Sequence, residues 1–439
     1  MRFALAPRRA AAPRDTTNSE GIRMTPTDYA LTDAQIVDVA AGEIRTGLAV
    51  VVKGGKIAAI VPEGDLDTRV AKVSLEGRYL SPGLLDCHAH CFIGGFDDGT
   101  NVLPSELTAR AGKHLKGMLM RGFTTVRDAG GADQGHRAAV EKGVFAGPRL
   151  FVSGRILSQT GGHGDHRGRA DTCHCSAEIG GTSVIADGVD AVRKAVRENA
   201  RQGVDQIKIM AGGGVSSPGD KLIHPQYSMD ELYAIVDETE RCGRYVLSHV
   251  YSDVGIRRAV TAGVRSIEHG NFLTAETARL MAEKGAHLVP TLITYEADGK
   301  YGKGFGWSDE NAEKNDEVLA SGLDSLRVAQ AAGVNIGYGT DLCWSPKTYQ
   351  GDGLMIHQEV CGPAEALRHV TVNNAKIVRM EGQVGEISEG AFADLLVVES
   401  NPFDDLSCFG QHENRVVSVI QGGRTVRDST SRLAPPDAA

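Results

Sequence analysis

Residues 83–130 contain the pattern that decides the fold: GLLDCHAH at 83–90, PSELTARAGKHLKGMLMRG at 104–122 and FTTVRDAG at 123–130. The first and third pieces are short apolar runs that predict buried strands. The second has helical periodicity and ends on glycine, which is typical of a helix C-terminus. A strand, a helix and a second strand in this order predict a unit with two parallel strands.

The same alternation continues to residue 342. Six further apolar runs predict strands: PRLFVSGRIL (148–157), VDQIKIMAG (204–212), RYVLSHV (244–250), VRSIEHG (264–270), AHLVPTL (286–292) and VNIGYGTDL (334–342). Eight strands that alternate with helices predict a (β/α)8 TIM barrel of the α/β class. A doubly wound open sheet is the alternative topology. No Gly-x-Gly-x-x-Gly follows a strand in the required context, which disfavours a dinucleotide-binding fold.

The two ends of the chain differ from this middle region. Both are rich in short β-type runs, and Gly54-Gly55 is a hairpin signal, so we expect one small β-sandwich domain built from both ends. The predicted parts are a disordered tail at 1–23, the β-sandwich domain at 24–80 and 383–430, the barrel at 81–382 and a tail at 431–439. The first 23 residues lack the apolar segment of a secretory signal, and Met24 is an alternative start to Met1.

The composition restricts the classes of function. The chain has 439 residues, of which 41% are hydrophobic and 23% charged, as in globular proteins. A net charge of −9 disfavours nucleic-acid and anionic-membrane surfaces. No apolar run reaches the ~18 residues that span a membrane. The eight cysteines are sparse and fit reduced thiols, so we expect a cytoplasmic protein.

Side chains that bind metals recur at the ends of the predicted strands, where a barrel places its active site. The set consists of His88, His90, Lys208, His249, His269 and Asp341. His88 and His90 are two residues apart on a strand, so they share a face. Any one histidine could be a hydrogen-bonded core residue, but a lysine between isoleucines is costly to bury. Imidazole and carboxylate ligands without thiolates favour Zn²⁺ or a similar ion.

This set resembles the metal-dependent amidohydrolase superfamily, and the resemblance covers nearly all of residues 28–430. SPGLLDCHAH (81–90) is similar to the superfamily's first motif, and Gly339-Thr340-Asp341 to its last. The resemblance implies two divalent metal ions, with zinc expected, bridged by a carboxylated Lys208. It also implies that Asp341 accepts the proton of the attacking water and passes it to the leaving amine.

Loop segments refine the resemblance. SQTGGHGDH (158–166), GGGVSSP (212–218) and HPQYS (224–228) resemble a branch with imidazolonepropionase-like proteins, Xaa-Pro dipeptidases and ochratoxin-degrading amidohydrolases. That branch implies that His163 and Tyr227 reach the substrate. Tyr227 is a candidate donor to the carbonyl or tetrahedral oxygen, and His163 is a candidate for binding the substrate carboxylate. His224 is a further substrate-binding candidate, for which loop-folding hydrogen bonds are the alternative.

Two other segments stand out by composition: one contains potential metal ligands, and the other is rich in residues typical of loops. Cys173-His174-Cys175 resembles a metal tract but lacks a partner pair nearby, so free thiols are expected. Residues 300–317 are rich in Gly, Lys, Asp and Asn, and this composition predicts a mobile loop or lid beside the site.

The implied reaction is hydrolysis of an amide or peptide bond next to a free carboxylate. The substrate would be an Xaa-Pro or other dipeptide, an N-acyl amino acid or an ochratoxin-like aryl amide. Hydrolysis of a cyclic amide, carbamate or urea is the alternative. A non-catalytic scaffold is an alternative of another class, against which the complete ligand set argues. We expect a homo-oligomer, as in relatives of this branch, with a small-molecule partner and neither nucleic acid nor membrane.

Overall fold

The computed structural model describes residues 28–430 and Leu433, apart from 94–101, 168–169, 171, 173–181, 218, 344 and 411–414. The predicted tail at 1–23, Met24 and the Cys173-His174-Cys175 tract lie outside the described residues. So does the predicted tail at 431–439, except for Leu433.

Strands from both ends of the chain form a small β domain. They are β1 (Tyr29–Thr32), β2 (Gln35–Asp38), β3 (Glu43–Arg45), β4 (Leu48–Lys53), β5 (Lys56–Pro62), β6 (Ala71–Ser74), β7 (Tyr79–Pro82), β18 (Leu395–Val398), β19 (Val416–Gln421) and β20 (Arg424–Asp428). One sheet has the order β5-β4-β1-β6 and the other β20-β19-β18-β7-β2-β3. Leu80 lies opposite Val397 in the antiparallel pair β7–β18, so the two chain ends meet in one sheet. Leu31 and Val50 of the smaller sheet belong to the same buried cluster as Leu80 and Val397.

The barrel strands lie between these two pieces. They are β8 (Leu84–Ala89), β9 (Phe123–Asp128), β10 (Arg149–Phe151), β11 (Ile156–Ser158), β13 (Ile207–Met210), β14 (Val246–Ser252), β15 (Ser266–Phe272), β16 (His287–Val289) and β17 (Asn335–Ile336). Neighbouring strands pair in parallel. The backbone N–H of Cys87 donates to Tyr338 O at 2.8 Å, and that of Thr340 donates to His88 O at 3.0 Å. These bonds join the eighth strand position to the first and close the barrel.

The third strand position differs from the single run predicted at 148–157. The chain leaves the sheet between β10 and β11, where Gly154 takes a left-handed φ of 64° and its N–H donates to Ala132 O. An additional strand, β12 (Ser183–Ile185), pairs in parallel with β11. A glycine in the left-handed region interrupts the extended conformation that the apolar pattern alone predicts.

Ten α-helices are described. They are α1 (Pro104–Met120), α2 (Gln134–Glu141), α3 (Val189–Arg201), α4 (Met229–Arg241), α5 (Asp253–Ala262), α6 (Ala275–Lys284), α7 (Leu292–Tyr301), α8 (Asp309–Ala331), α9 (Gly353–Val370, broken at Gly362) and α10 (Val372–Ile377). Short 3₁₀ turns lie at Glu63–Asp65, Gly302–Phe305, Lys347–Gly351 and Leu406–Phe409. Serine side chains cap α4, α5 and α8, and glycines in the left-handed conformation end α5 and α6.

The prediction of a loop at 300–317 is wrong for most of the segment, and its role as a mobile lid stays a prediction. Helix α7 runs to Tyr301, and α8 begins at Asp309. Ser308 accepts from the N–H of Asn311, whose side chain accepts from the N–H of Ser308, and this reciprocal pair fixes the helix start. Trp307 is buried in the apolar core, which anchors the turn between the two helices.

The predicted architecture, a (β/α)8 barrel with a small β domain from both chain ends, is confirmed. Its boundaries at 80/81 and 382/383 stay a prediction. Among the described helices, none combines the length and apolarity that crossing a membrane requires. The six cysteines within the described residues are free.

Candidate active site

Three of the predicted ligands meet at one point at the mouth of the barrel. Asp341 Oδ1 lies 3.3 Å from His90 Nε2 and 3.6 Å from His88 Nε2. The potential ligand atoms of these three residues all lie within 4.8 Å of one another. Lys208 Nζ lies 3.5 Å from the same Nε2 atom of His88. Two imidazoles, an amine and a partly exposed carboxylate therefore form one group.

The remaining two predicted ligands extend this group. The ring of His269 lies 5.0 Å from that of His88 and 4.5 Å from that of His249, measured between centroids. Both histidines are buried. The barrel thus brings all six predicted ligand side chains together, from its first, fourth, fifth, sixth and eighth strand positions.

Other protein groups fix the orientation of the first two imidazoles. Nδ1–H of His88 donates to Oε2 of Glu268 at 2.7 Å. Nδ1–H of His90 donates to the carbonyl oxygen of Gly130 at 2.8 Å. Because each partner can only accept, the proton of a neutral ring lies on Nδ1, and Nε2 keeps its lone pair. In both residues this Nε2 faces Asp341.

The imidazoles of His249 and His269 also bond to the protein through one ring nitrogen each. Nε2–H of His249 donates to Gly213 O at 3.1 Å, which leaves the lone pair on Nδ1. Nδ1 of His269 lies 2.7 Å from the hydroxyl of Thr291 and 3.1 Å from that of Tyr295. Each of the four histidines therefore has one ring nitrogen bonded to the protein, as metal-binding histidines usually do.

Burial sets the charge state of the group. It lowers the pKa of Lys208 from 10.5 to about 8. Burial and the neighbouring Lys208 lower the pKa of His88 to about 4. Burial also holds the pKa values of His249 and His269 well below the usual range. For Asp341, burial alone would raise the pKa, but His88 and its fellow histidines hold it well below 3.8. Neutral imidazoles beside an ionised carboxylate are the forms that bind metals.

Two of the predicted ligands have an unusual backbone conformation. His269 and Asp341 have φ values of 73° and 50°, in the left-handed region that side-chain-bearing residues rarely adopt. Such strain is concentrated at functional sites. Gly339 allows the eighth strand position to approach the first, because a Cβ there would lie 2.6 Å from the Cβ of His88 and 2.6 Å from Val289 Cγ1.

This donor set fits divalent cations. It offers four oriented imidazoles, one ionised carboxylate and one amine that is neutral in part near pH 8. Imidazole and carboxylate ligands are the types that Zn²⁺ binds in catalytic sites.

His163, predicted to contact the substrate, lies directly on this group. Its ring stacks on that of His249, with 4.2 Å between centroids. Nδ1 of His163 lies 2.7 Å from Oγ of Ser217, which donates to Oδ1 of Asp220 at 2.5 Å. The backbone N–H of His163 donates to Oε1 of Gln226 at 3.1 Å. Ser217 therefore holds the ring of His163, and Gln226 holds its backbone.

Tyr227 and His224 have no described contact with the six ligands, and their roles stay predictions. Tyr227 is buried, has a left-handed φ of 57°, and its hydroxyl has no hydrogen-bond partner among the described residues. Its backbone N–H donates to Gln159 Oε1 at 2.5 Å, and its carbonyl accepts from Arg258 at 2.7 Å. His224 is exposed, and its Nδ1 accepts a long 3.4 Å bond from the N–H of Lys221.

Three buried residues beside the ligands were missed by the sequence reasoning. Glu268 and Arg127 form an ion pair beside His88. Burial alone would raise the pKa of Glu268, but Arg127 and His88 hold it below its usual range. Asp86 accepts from the hydroxyl of Thr340 at 2.7 Å, which ties the first strand to the eighth. The signal in the sequence is a charged residue inside an apolar strand, the same signal that identified Lys208.

A (β/α)8 barrel with imidazole and carboxylate ligands at its mouth is characteristic of metal-dependent barrel enzymes. A model of the amidohydrolase family matches residues 79–426, and a model of the NagA composite domain matches residues 28–80. The chain therefore belongs to the amidohydrolase family, and it is a hydrolase that acts on amide bonds.

Relatives define the branch. The ochratoxinase of Aspergillus niger is 32% identical over 408 residues, which cover 87% of this chain and 83% of that protein. Its crystal structure gives a TM-score of 0.78 at 30% identity, covering 92% of this chain and 96% of the other. The structure of a prolidase complexed with N-methylphosphonate-L-proline gives a TM-score of 0.88 at 41% identity, covering 92% and 100%. The predicted branch, with ochratoxin-degrading amidohydrolases and Xaa-Pro dipeptidases, is confirmed.

Proposed function

We propose that this protein hydrolyses an amide bond next to a free carboxylate at a site that binds two divalent cations, with zinc the expected metal. The proposed ligands are His88, His90, Lys208, His249, His269 and Asp341. The observation that carries the proposal is the convergence of four imidazoles, each held at one ring nitrogen, with one amine and one carboxylate. When bound, such a pair of cations lowers the pKa of water and polarises the scissile carbonyl.

Lys208 is proposed to be carboxylated on Nζ. A pKa of about 8 leaves part of the amine neutral near physiological pH, and the neutral form is the one that adds CO₂. The N–C bond forms as one N–H proton leaves, and the resulting anionic carbamate offers oxygen atoms to cations. It also removes a buried positive charge from the neighbourhood of His88, whose Nε2 lies 3.5 Å from Nζ.

Asp341 is proposed to move the proton. Its carboxylate accepts a proton from the attacking water and later returns it to the leaving amine. The pKa of Asp341 lies well below 3.8, so its carboxylate is ionised at neutral pH. The thiol of Cys343 donates to Oδ1 at 3.2 Å, and the backbone N–H of Asp341 donates to His88 O at 2.7 Å. The first contact holds the side chain of Asp341, and the second holds its backbone, while the charge changes.

His163, Tyr227 and the prolidase and ochratoxinase relatives support a substrate with a free carboxylate. His163 stacks on a proposed ligand and is held by Ser217. The buried hydroxyl of Tyr227 lacks a hydrogen-bond partner among the described residues, so no described protein acceptor holds its proton. The prolidase relative is complexed with a proline derivative, and proline carries a free carboxylate next to its amide nitrogen.

A hydrolysis screen with paired substrates tests this proposal. The panel contains Xaa-Pro dipeptides, N-acyl amino acids and ochratoxin, each also with its free carboxylate capped as a carboxamide. We expect turnover of free acids and at least about 100-fold slower turnover of their capped partners. Hydantoins, carbamates and ureas are included in the same screen. Turnover of these compounds without turnover of any free-acid amide would contradict the proposal.

A further inference from the structure

An ion pair that is closed off from solvent lies inside the barrel beside His88. Arg127 on β9 and Glu268 on β15 are each 0% exposed, and Nη2 of Arg127 lies 2.8 and 2.9 Å from the two carboxylate oxygens of Glu268. Barrel interiors are usually filled by branched aliphatic side chains. Replacing a buried ion pair by apolar residues is often neutral or stabilising, so packing alone gives no reason for this pair.

Glu268 has a further contact that points to such a reason. Its Oε2 accepts the Nδ1–H of His88 at 2.7 Å. On the opposite edge of the same ring, Nε2 lies 3.5 Å from Lys208 Nζ and 3.6 Å from Asp341 Oδ1. The imidazole of His88 therefore lies between the ion pair and the other ligands, with its lone pair directed toward them.

The carboxylate of Glu268 is held by two further side chains, Arg127 and Ser266. Nε of Arg127 donates to the carbonyl oxygen of Cys87 on β8 at 2.5 Å, and Nη1 lies 3.2 Å from Ser266 Oγ. Oγ of Ser266 donates to Oε1 of Glu268 at 2.5 Å. Arg127 on β9 and Ser266 on β15 therefore both bind the carboxylate that accepts from His88, and Arg127 is itself tied to β8.

We propose that Glu268, held by Arg127, is a positioning residue for the metal centre. It fixes the tautomer and the ring orientation of His88, so that Nε2 meets a cation without rearrangement. A carboxylate on the far side of an imidazole also makes the ligating nitrogen more basic. This inference rests on the proposed function, because it requires that His88 binds a cation, and it assigns a role to two residues outside the ligand set.

Zinc affinity of the purified full-length protein tests the proposal, measured by competition with a chromophoric chelator. Glu268→Gln keeps the size of the side chain and removes its charge. We expect one zinc ion to bind about 10–100-fold more weakly, which is the usual effect of removing such a partner. Glu198→Gln is the matched control, because Glu198 lies on the surface of α3, paired with Arg201, and its variant should bind zinc as the wild type does.

A second variant separates positioning from folding, since Glu268→Gln leaves the buried guanidinium without its carboxylate. The double variant Arg127→Met/Glu268→Gln removes both charges, and we expect it to fold and to show the same loss of zinc affinity. Wild-type zinc affinity in either folded variant overturns the proposal, and so does failure of both variants to fold. Absence of zinc binding by the wild type would instead refute the metal centre itself.

Discussion

Replacing Lys208 with methionine should stabilise the metal-free protein while it abolishes the metal centre. Lys208 is 1% exposed, and its pKa is about 8 instead of 10.5. Since one pKa unit corresponds to ~1.4 kcal/mol, keeping this ammonium charged at pH 7 costs about 3 kcal/mol. Methionine has a similar length and no charge, so the variant should gain about this free energy of unfolding.

The lowered pKa of Lys208 also makes the stability of the folded protein depend on pH. The pKa of Lys208 is lower in the folded than in the unfolded protein, so between about pH 8 and 10.5 the unfolded chain binds more protons. The folded wild type should therefore gain stability as the pH rises through this window, and the methionine variant should lack this gain. The difference between the two proteins is largest at and below pH 7 and disappears above about pH 10.5.

Urea unfolding followed by circular dichroism measures this difference. Both proteins are stripped of metal and kept free of CO₂, because CO₂ reacts with the neutral amine of Lys208. Lys142→Met, at an exposed position after α2, is the matched control and should change the free energy of unfolding by less than about 0.5 kcal/mol. A Lys208→Met protein that is less stable than the wild type at pH 7, or that still binds zinc normally, would refute the reasoning.

Three further variants test assigned roles. Asp341→Asn should abolish turnover with unchanged circular dichroism, and near-normal rates would exclude it as the proton acceptor. Tyr227→Phe should lower kcat by ~10²-fold if the phenol donates to an oxyanion; an effect on KM alone would make it a uniform-binding contact. Gly214→Ala should raise KM for free-acid substrates with unchanged zinc content, because its Cβ would lie 2.0 Å from the His163 ring; an unchanged KM would remove His163 from substrate binding.

The strands that carry the ligands could be predicted because each combines an apolar run with a metal-binding side chain near its end. His249 and His269 lie on β14 and β15, within the predicted runs. The prediction from composition failed at residues 300–317, where charged residues and glycines suggested a loop. Ser308 and Asn311 have the spacing of a capping pair. Had this spacing been weighted above the composition, it would have predicted the start of α8.

The supports of the ligands could not be predicted, because they join residues that are far apart in the chain. Glu268 precedes His269 directly, yet its carboxylate contacts His88, 180 residues away. Ser217 holds His163 across 54 residues. Periodicity assigns a residue to a strand or a helix, but only the closed barrel determines which side chains meet in its interior.

The number of divalent ions bound per chain tests the central claim most directly. After expression in zinc-supplemented medium, elemental analysis of the purified protein should give two ions per chain. The double variant His88→Ala/His90→Ala should hold fewer than two. A wild-type protein without ions, or a double variant with the full wild-type content, would contradict a metal centre built on these residues.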